Sequence, residues 1–148
     1  MDLADVNVLI YAYREDGLEH ERYVAWLRAL VTGPALFALS SVTLGGFLRI
    51  VTNPRIFDPP TPMDLALAFC GHLVRQRWAV FVQPGPRHWP ILVDLVEKAK
   101  VRGALVADAY LAALVIEHGC ELVTTDGDFA RFQGLRWRHP LAPGGVGP

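Results

Sequence analysis

The 148-residue sequence contains only two cysteines, Cys70 and Cys120. Two are too few for a disulfide framework, and neither has a second thiol or a histidine at the spacing of a zinc site. Both read as buried thiols in a reducing compartment. Long hydrophobic runs are missing too. Gly, Pro or charge interrupts every apolar stretch short of the roughly 20 residues that cross a bilayer. The N-terminus has no basic region and opens with Asp2 and Asp5, unlike a signal peptide. A cytoplasmic protein without membrane contact is the expectation. Excess charge of either sign is also absent, with 14 Lys+Arg against 15 Asp+Glu. That balance neither requires nor excludes nucleic acid, because one local basic stripe is enough to hold it. Finally, no acidic residue occurs between Glu21 and Asp58.

What is present describes a folded chain. Hydrophobic residues make up 52% and charged residues 20%, a globular balance. The length suits one domain with its own core. Residues 1–141 are expected to form it, and 142–148 (APGGVGP) a disordered Pro/Gly-rich tail.

Local patterning alternates between strand and helix. Residues 1–5 read as a first strand. The next eight residues, VNVLIYAY, have strand propensity. Asp5 overrules it, because its side chain can cap a helix by accepting from N–H groups two or three residues on. A stripe of Tyr23, Trp26, Leu27, Leu30 and Val31 predicts a helix over 18–31, and Gly33-Pro34 stops it. Tyr11, Tyr23, Trp26 and Leu30 are core by default, and any exposed part is a candidate contact for a second copy or a partner. Residues 35–39 form a strand, Ser40 or Ser41 caps the next helix, and Asn53-Pro54 breaks it. Helices are predicted over 63–77 and 87–102, with a strand at 78–82 between them. Gly103 suits a left-handed end to the second. Asp108 opens a further helix, residues 121–125 form a strand, 129–132 about one helical turn, and 135–138 a last strand. The alternation implies an α/β fold of three layers, α/β/α, with a central parallel sheet. In such sheets ligands bind beyond the carboxyl ends of the strands.

Asp5 and Asp126 fall at strand carboxyl ends and Asp108 at a helix start. Each alone is explained as a cap or turn residue. Crowded at one sheet edge, the three would repel one another unless a cation joined them. A hard divalent ion suits such oxygen donors, and Mg²⁺ or Mn²⁺ fits better than zinc. A metal held by few carboxylates can activate water and neutralise charge on a phosphoryl oxygen, which suits phosphodiester hydrolysis. A phosphatase using Asp5 as nucleophile fits less well, since Asn7 stands where a second Asp is needed. Ser40 and Ser41 lack a neighbouring acid–base pair for nucleophilic chemistry.

Four segments now carry a resemblance: DVNVLI from Asp5, GFLRIVTNPR from Gly46, ADAYLAA around Asp108, and LVTTDGDF through Asp126. In order, spacing and total length they resemble PIN-domain ribonucleases, above all the VapC toxins of bacterial toxin–antitoxin pairs. The resemblance implies a Mg²⁺- or Mn²⁺-dependent endoribonuclease acting on tRNA or ribosomal RNA. It implies catalytic and metal-site roles for Asp5, Asp108 and Asp126, with Asn7 as a polar neighbour. Asp128 matches a frequently acidic position, where it either joins the metal site through water or caps residues 129–132. A homodimer and a VapB-type antitoxin, whose tail covers the active-site groove, are the implied partners. Arg49 and Arg55 flank that supposed groove, and Lys98, Lys100 and Arg102 run up to Asp108; Arg49 and Arg102 are the candidate RNA contacts, whereas Lys98 and Lys100 read as a solvated face.

One departure stands out. The family typically places a Glu on the helix over residues 41–52, and Leu44, Gly45 and Gly46 occupy the expected positions. A glycine in a helix costs roughly 1 kcal/mol against alanine, so close helix packing or room for substrate is expected here. The alternative function is a catalytically weakened PIN-fold module that acts through RNA or antitoxin contacts.

Overall fold

The sheet is built from very short segments whose buried residues alternate between two cores. The computed structural model describes residues 1–143; residues 144–148 of the predicted tail lie outside the described residues. Five strands, β1 (Asp2–Ala4), β2 (Phe37–Leu39), β3 (Ala79–Phe81), β4 (Glu121–Val123) and β5 (Trp137–Arg138), run parallel in the order β3-β2-β1-β4-β5. Leu3, Ala38 and Leu122 point to one face, while Ala4, Phe37, Leu39 and Val123 point to the other. That is the period of two of a strand buried on both sides.

Helices α1 (Val6–Tyr13), α2 (His20–Thr32), α3 (Ser41–Val51) and α4 (Met63–Val74) cover the second face. Helices α5 (His88–Ala99) and α6 (Leu105–Glu117) cover the first. The expected three-layer α/β/α arrangement is therefore observed. Burial of Leu3, Leu122, Phe37 and Phe47, all at most 1% exposed, stabilises the sandwich by about 1.5–3 kcal/mol per side chain. Cys70 and Cys120 are free and buried, one in each core. Among the described residues no helix is long and apolar enough to cross a membrane.

Capping explains why β-prone residues form α1. Asp5 Oδ1 accepts from Val6 N–H at 2.7 Å, so the cap engages the adjacent amide rather than one two or three residues on. Ser40 Oγ accepts from Thr43 N–H at 3.2 Å and starts α3. The predicted end of α5 needs correction. The helix stops at Ala99, and Lys100 takes the left-handed conformation (φ 52°). Gly103 is also left-handed (φ 62°) but belongs to the turn that leads into α6.

The strand order sets up the site. After β1 the chain builds outward to β2 and β3, then returns through α5 and α6 to the other side of β1, where β4 pairs. The direction of sheet growth therefore reverses between β1 and β4. Beyond their carboxyl ends lies the crevice where open parallel sheets bind ligands.

Candidate active site

Asp5 directly follows β1, and its N–H donates to Val123 O at 2.9 Å, which ties it to the end of β4. Its side chain is 8% exposed. Oδ1 takes the α1 cap bond, and Oδ2 accepts from Thr124 Oγ1 at 2.7 Å. Burial raises this carboxyl above the usual carboxylate range, and Asp126 adds repulsion. Bonds from Thr124, Val6 and Asn7 oppose the rise without cancelling it.

Thr124 is the hub of this crevice. It is fully buried. Its single hydroxyl proton goes to Asp5, and its lone pairs accept from Asp126 N–H at 3.0 Å and Asn7 Nδ2 at 3.3 Å. Asn7 Oδ1 in turn accepts from Thr125 N–H at 3.4 Å. The first turn of α1 is thereby stitched to the end of β4 through the Asn7 amide.

Asp126 precedes a short 3-10 helix, Gly127–Arg131, and its side chain accepts from Asp128 N–H at 2.8 Å. Asp126, not Asp128, is therefore the cap of that turn. The exposed Asp128 carboxylate instead meets Arg131 Nη2 at 3.3 Å, and Arg131 Nε donates to Asp128 O at 2.9 Å.

Asp108 departs from its expected position. α6 begins at Leu105, and Ala104 precedes it without a side-chain cap. Asp108 therefore sits within the first turn instead of opening the helix, and capping does not account for it. Burial pushes its carboxyl up, and Asp126, Asp5 and Asp128 push in the same direction, while Arg131 opposes them. Asp5, Asp108, Asp126 and Asp128 thus share one electrostatic neighbourhood. Among the described residues, no group of three or more His, Cys, Asp and Glu side chains is placed to hold a metal ion. Arg49, on α3, and Arg102, in the turn before α6, are both exposed.

The unexpected glycines acquire a reason. A Cβ on Gly46 would stand 2.7 Å from Val6 Cγ2, inside any real contact, whereas one on Gly45 would meet nothing within 4 Å. Gly46 lets α3 approach α1 directly beside Asp5. No acidic residue of α3 occupies this position, and none would fit without moving Val6.

Thr124 and Arg131 were not singled out from the sequence. The Thr124-Thr125 pair, polar residues between an apolar strand and Asp126, was the available signal. For Arg131 the signal was its position three residues after Asp128, one turn of a 3-10 helix.

The PIN domain family model matches residues 3–135 of this chain. The chain belongs to the PIN-domain family. Ribonuclease VapC43 of Mycobacterium tuberculosis is 40% identical over 137 residues, covering 93% of this PIN domain and 93% of the relative. Ribonuclease VapC25 of the same organism is 39% identical over 140 residues, covering 95% and 99%. This PIN domain therefore falls in the VapC branch of the family. A crystal structure of VapBC2 from Rickettsia felis, bound to a DNA fragment from its promoter, shares the fold. Its TM-score is 0.69 at 16% identity, with 93% of this chain and 97% of that chain covered.

Proposed function

We propose that this PIN domain is an endoribonuclease toxin that hydrolyses RNA phosphodiesters with the help of Mg²⁺ or Mn²⁺. The observation that carries the reading is the set of acids at the β1/β4 crevice. Burial raises the Asp5 and Asp108 carboxyls and the charge of Asp126 repels both, in a chain 40% identical to a VapC ribonuclease.

The chemistry of the donors, rather than a ready-made ligand cage, suits a hard divalent cation. All the groups are carboxylates, with the Asn7 amide beside them, and burial with mutual repulsion has raised two of them. Asp5, Asp108 and Asp126 would hold the ion, with Asp128 as an outer contributor. When bound, such an ion supplies charge neutralisation at the phosphate and a more acidic water. The chain's own contribution is placement. Thr124 and Val6 hold both Asp5 oxygens, the 3-10 turn fixes Asp126, and Asn7 ties the two supporting segments together. Arg131, Arg102 and Arg49 supply positive charge for the RNA backbone. The substrate class is structured RNA of the tRNA or ribosomal type. A VapB-type antitoxin and a second copy of the chain are the proposed partners. The solved VapBC complex supports the first by likeness of fold.

Gly46 favours a second reading. The acid common in the family is replaced there by a glycine that closes two helices together. A PIN fold that binds RNA or antitoxin without cutting would need no such acid. Incubating the purified chain with structured RNA separates the two. Cleavage in Mn²⁺ that stops in EDTA supports the nuclease. Tight RNA binding without cleavage in either metal supports the binding module.

A further inference from the structure

Beside the acidic crevice lies a cavity of about 430 Å³, lined by Tyr11, Leu18, Glu19, Tyr23 and Thr125. We infer that it is a subsite for one unpaired nucleobase of the RNA next to the cleaved bond. The inference rests on the nuclease reading for its substrate and extends it to a second part of the surface.

Thr125 lies between Thr124 and Asp126, and its N–H is held by Asn7. Tyr11 is four residues after Asn7 on the same helix, so it shares a face with Asn7 one turn away, at a rise of ~6 Å. A strand of RNA with its phosphate at the carboxylates therefore has a neighbouring base within reach of Tyr11.

Tyr11 and Tyr23 form a tilted ring pair with centroids 5.1 Å apart. Tyr23 is buried and sets the orientation, while Tyr11 is 38% exposed. Tyr11 therefore departs from the core role expected of it and offers ring surface to a flat ligand. Leu18, 91% exposed, supplies an apolar lip. Glu19 is held in the left-handed conformation at φ 58°, uncommon for a residue with a side chain. It pairs with Arg22, which offsets its charge at the rim. Single-stranded RNA is held by base stacking on aromatic rings beside a positively charged track. The volume falls within the ~300–1,000 Å³ of small-ligand pockets.

The test uses the full chain carrying Asp108→Asn and a short single-stranded RNA with 2-aminopurine at successive positions. Binding is expected to quench the fluorescence at one position. Tyr11→Phe should keep the quench. Tyr11→Ala should remove it and weaken binding about 10- to 100-fold. Leu18→Asp, at a solvated position that cannot disturb the core, should act in the same direction and covers the case of a misfolded Tyr11→Ala. RNA that fails to bind, or that binds and quenches equally in all variants, overturns the proposal. So does a result in which these substitutions weaken only a VapB-type antitoxin, for the cavity is then a protein contact. The two readings separate cleanly. Quenching without cleavage by the unmodified chain in Mn²⁺ retains the subsite and removes the nuclease. Cleavage unaltered by Tyr11→Ala removes the subsite alone.

Discussion

Thr124 Oγ1 donates to Asp5 Oδ2 at 2.7 Å, joining residues 119 positions apart in sequence. The same oxygen accepts from Asp126 N–H, so one hydroxyl positions two of the three central acids. Thr124→Val keeps the shape and removes the bond. We expect a loss of about 1–3 kcal/mol of stability, because Asp5 stays buried with less support. The Asp5 carboxyl should rise further, and the acid limb of the RNA-cleavage pH profile should move to higher pH. Thr124→Ser should restore the wild-type profile. A profile unmoved in Thr124→Val would reduce Thr124 to a packing residue.

Gly45 and Gly46 are adjacent on α3 yet should respond oppositely to the same substitution. Gly45→Ala adds a methyl to open space and should stabilise by about 0.5–1 kcal/mol. Gly46→Ala places Cβ 2.7 Å from Val6 Cγ2 and should destabilise, with overpacking costs of about 1–3 kcal/mol. Thermal denaturation of the two variants decides this. Gly46→Glu alone is a poor test of the missing acid, since misfit and chemistry change together. Combined with Val6→Ala it should fold and bind Mn²⁺ more tightly than the wild type. Unchanged affinity would mean that the existing acids suffice.

Glu117 is a buried carboxylate at the far end of α6 and takes no part in the site. Its oxygens accept from Gly85 N–H at 2.8 Å and Arg87 N–H at 3.0 Å. Burial pushes its carboxyl up, but those two bonds, with the nearby His118 and His88, outweigh that and hold it below the usual range. A lowered carboxyl stabilises the fold above the range in which the unfolded chain titrates, and that stability is lost as pH falls through the folded value. Glu117→Gln should therefore cost about 1–3 kcal/mol at neutral pH. The difference from wild type should shrink as the pH falls below the ordinary glutamate range. Equal melting temperatures at neutral pH would show that the bonds to Gly85 and Arg87 do not stabilise the fold.

Asp5 and Asp108 shift in the opposite direction. Raised carboxyls protonate at higher pH than ordinary ones, and a protonated carboxyl is a poor metal ligand. Mn²⁺ affinity should start to fall above the ordinary carboxylate range as the solution is acidified. A calorimetric titration at several pH values measures this, and an affinity flat down to that range would contradict it.

Much of the fold was legible because local signals agreed with the global pattern. Asp5 and Ser40 marked helix starts, and short apolar runs separated by helical stripes required a covered parallel sheet. The end of α5 is not legible in the sequence because Lys100 takes the left-handed conformation that glycine ordinarily supplies. Asp108 was placed at the head of its helix because capping is the commonest reason for an acid there. The helix begins at Leu105 without a side-chain cap, and only the chain's path could reveal that. Thr124 was illegible as a hub, since its importance lies in contacts with residues more than 100 positions away. Tyr11 looked like core because periodicity assigns a face without saying whether another element covers it.

If Asp5, Asp108 and Asp126 act as one metal site for RNA hydrolysis, loss of any one of them weakens both metal binding and cleavage. Asp108 tests it best, because it caps nothing and its loss leaves the Thr124 network in place. Mn²⁺ titration and RNA cleavage should be measured on wild type and Asp108→Asn, both confirmed as folded. The account predicts at least tenfold weaker Mn²⁺ binding in Asp108→Asn and no detectable cleavage. Wild-type affinity together with wild-type cleavage in that variant would contradict it.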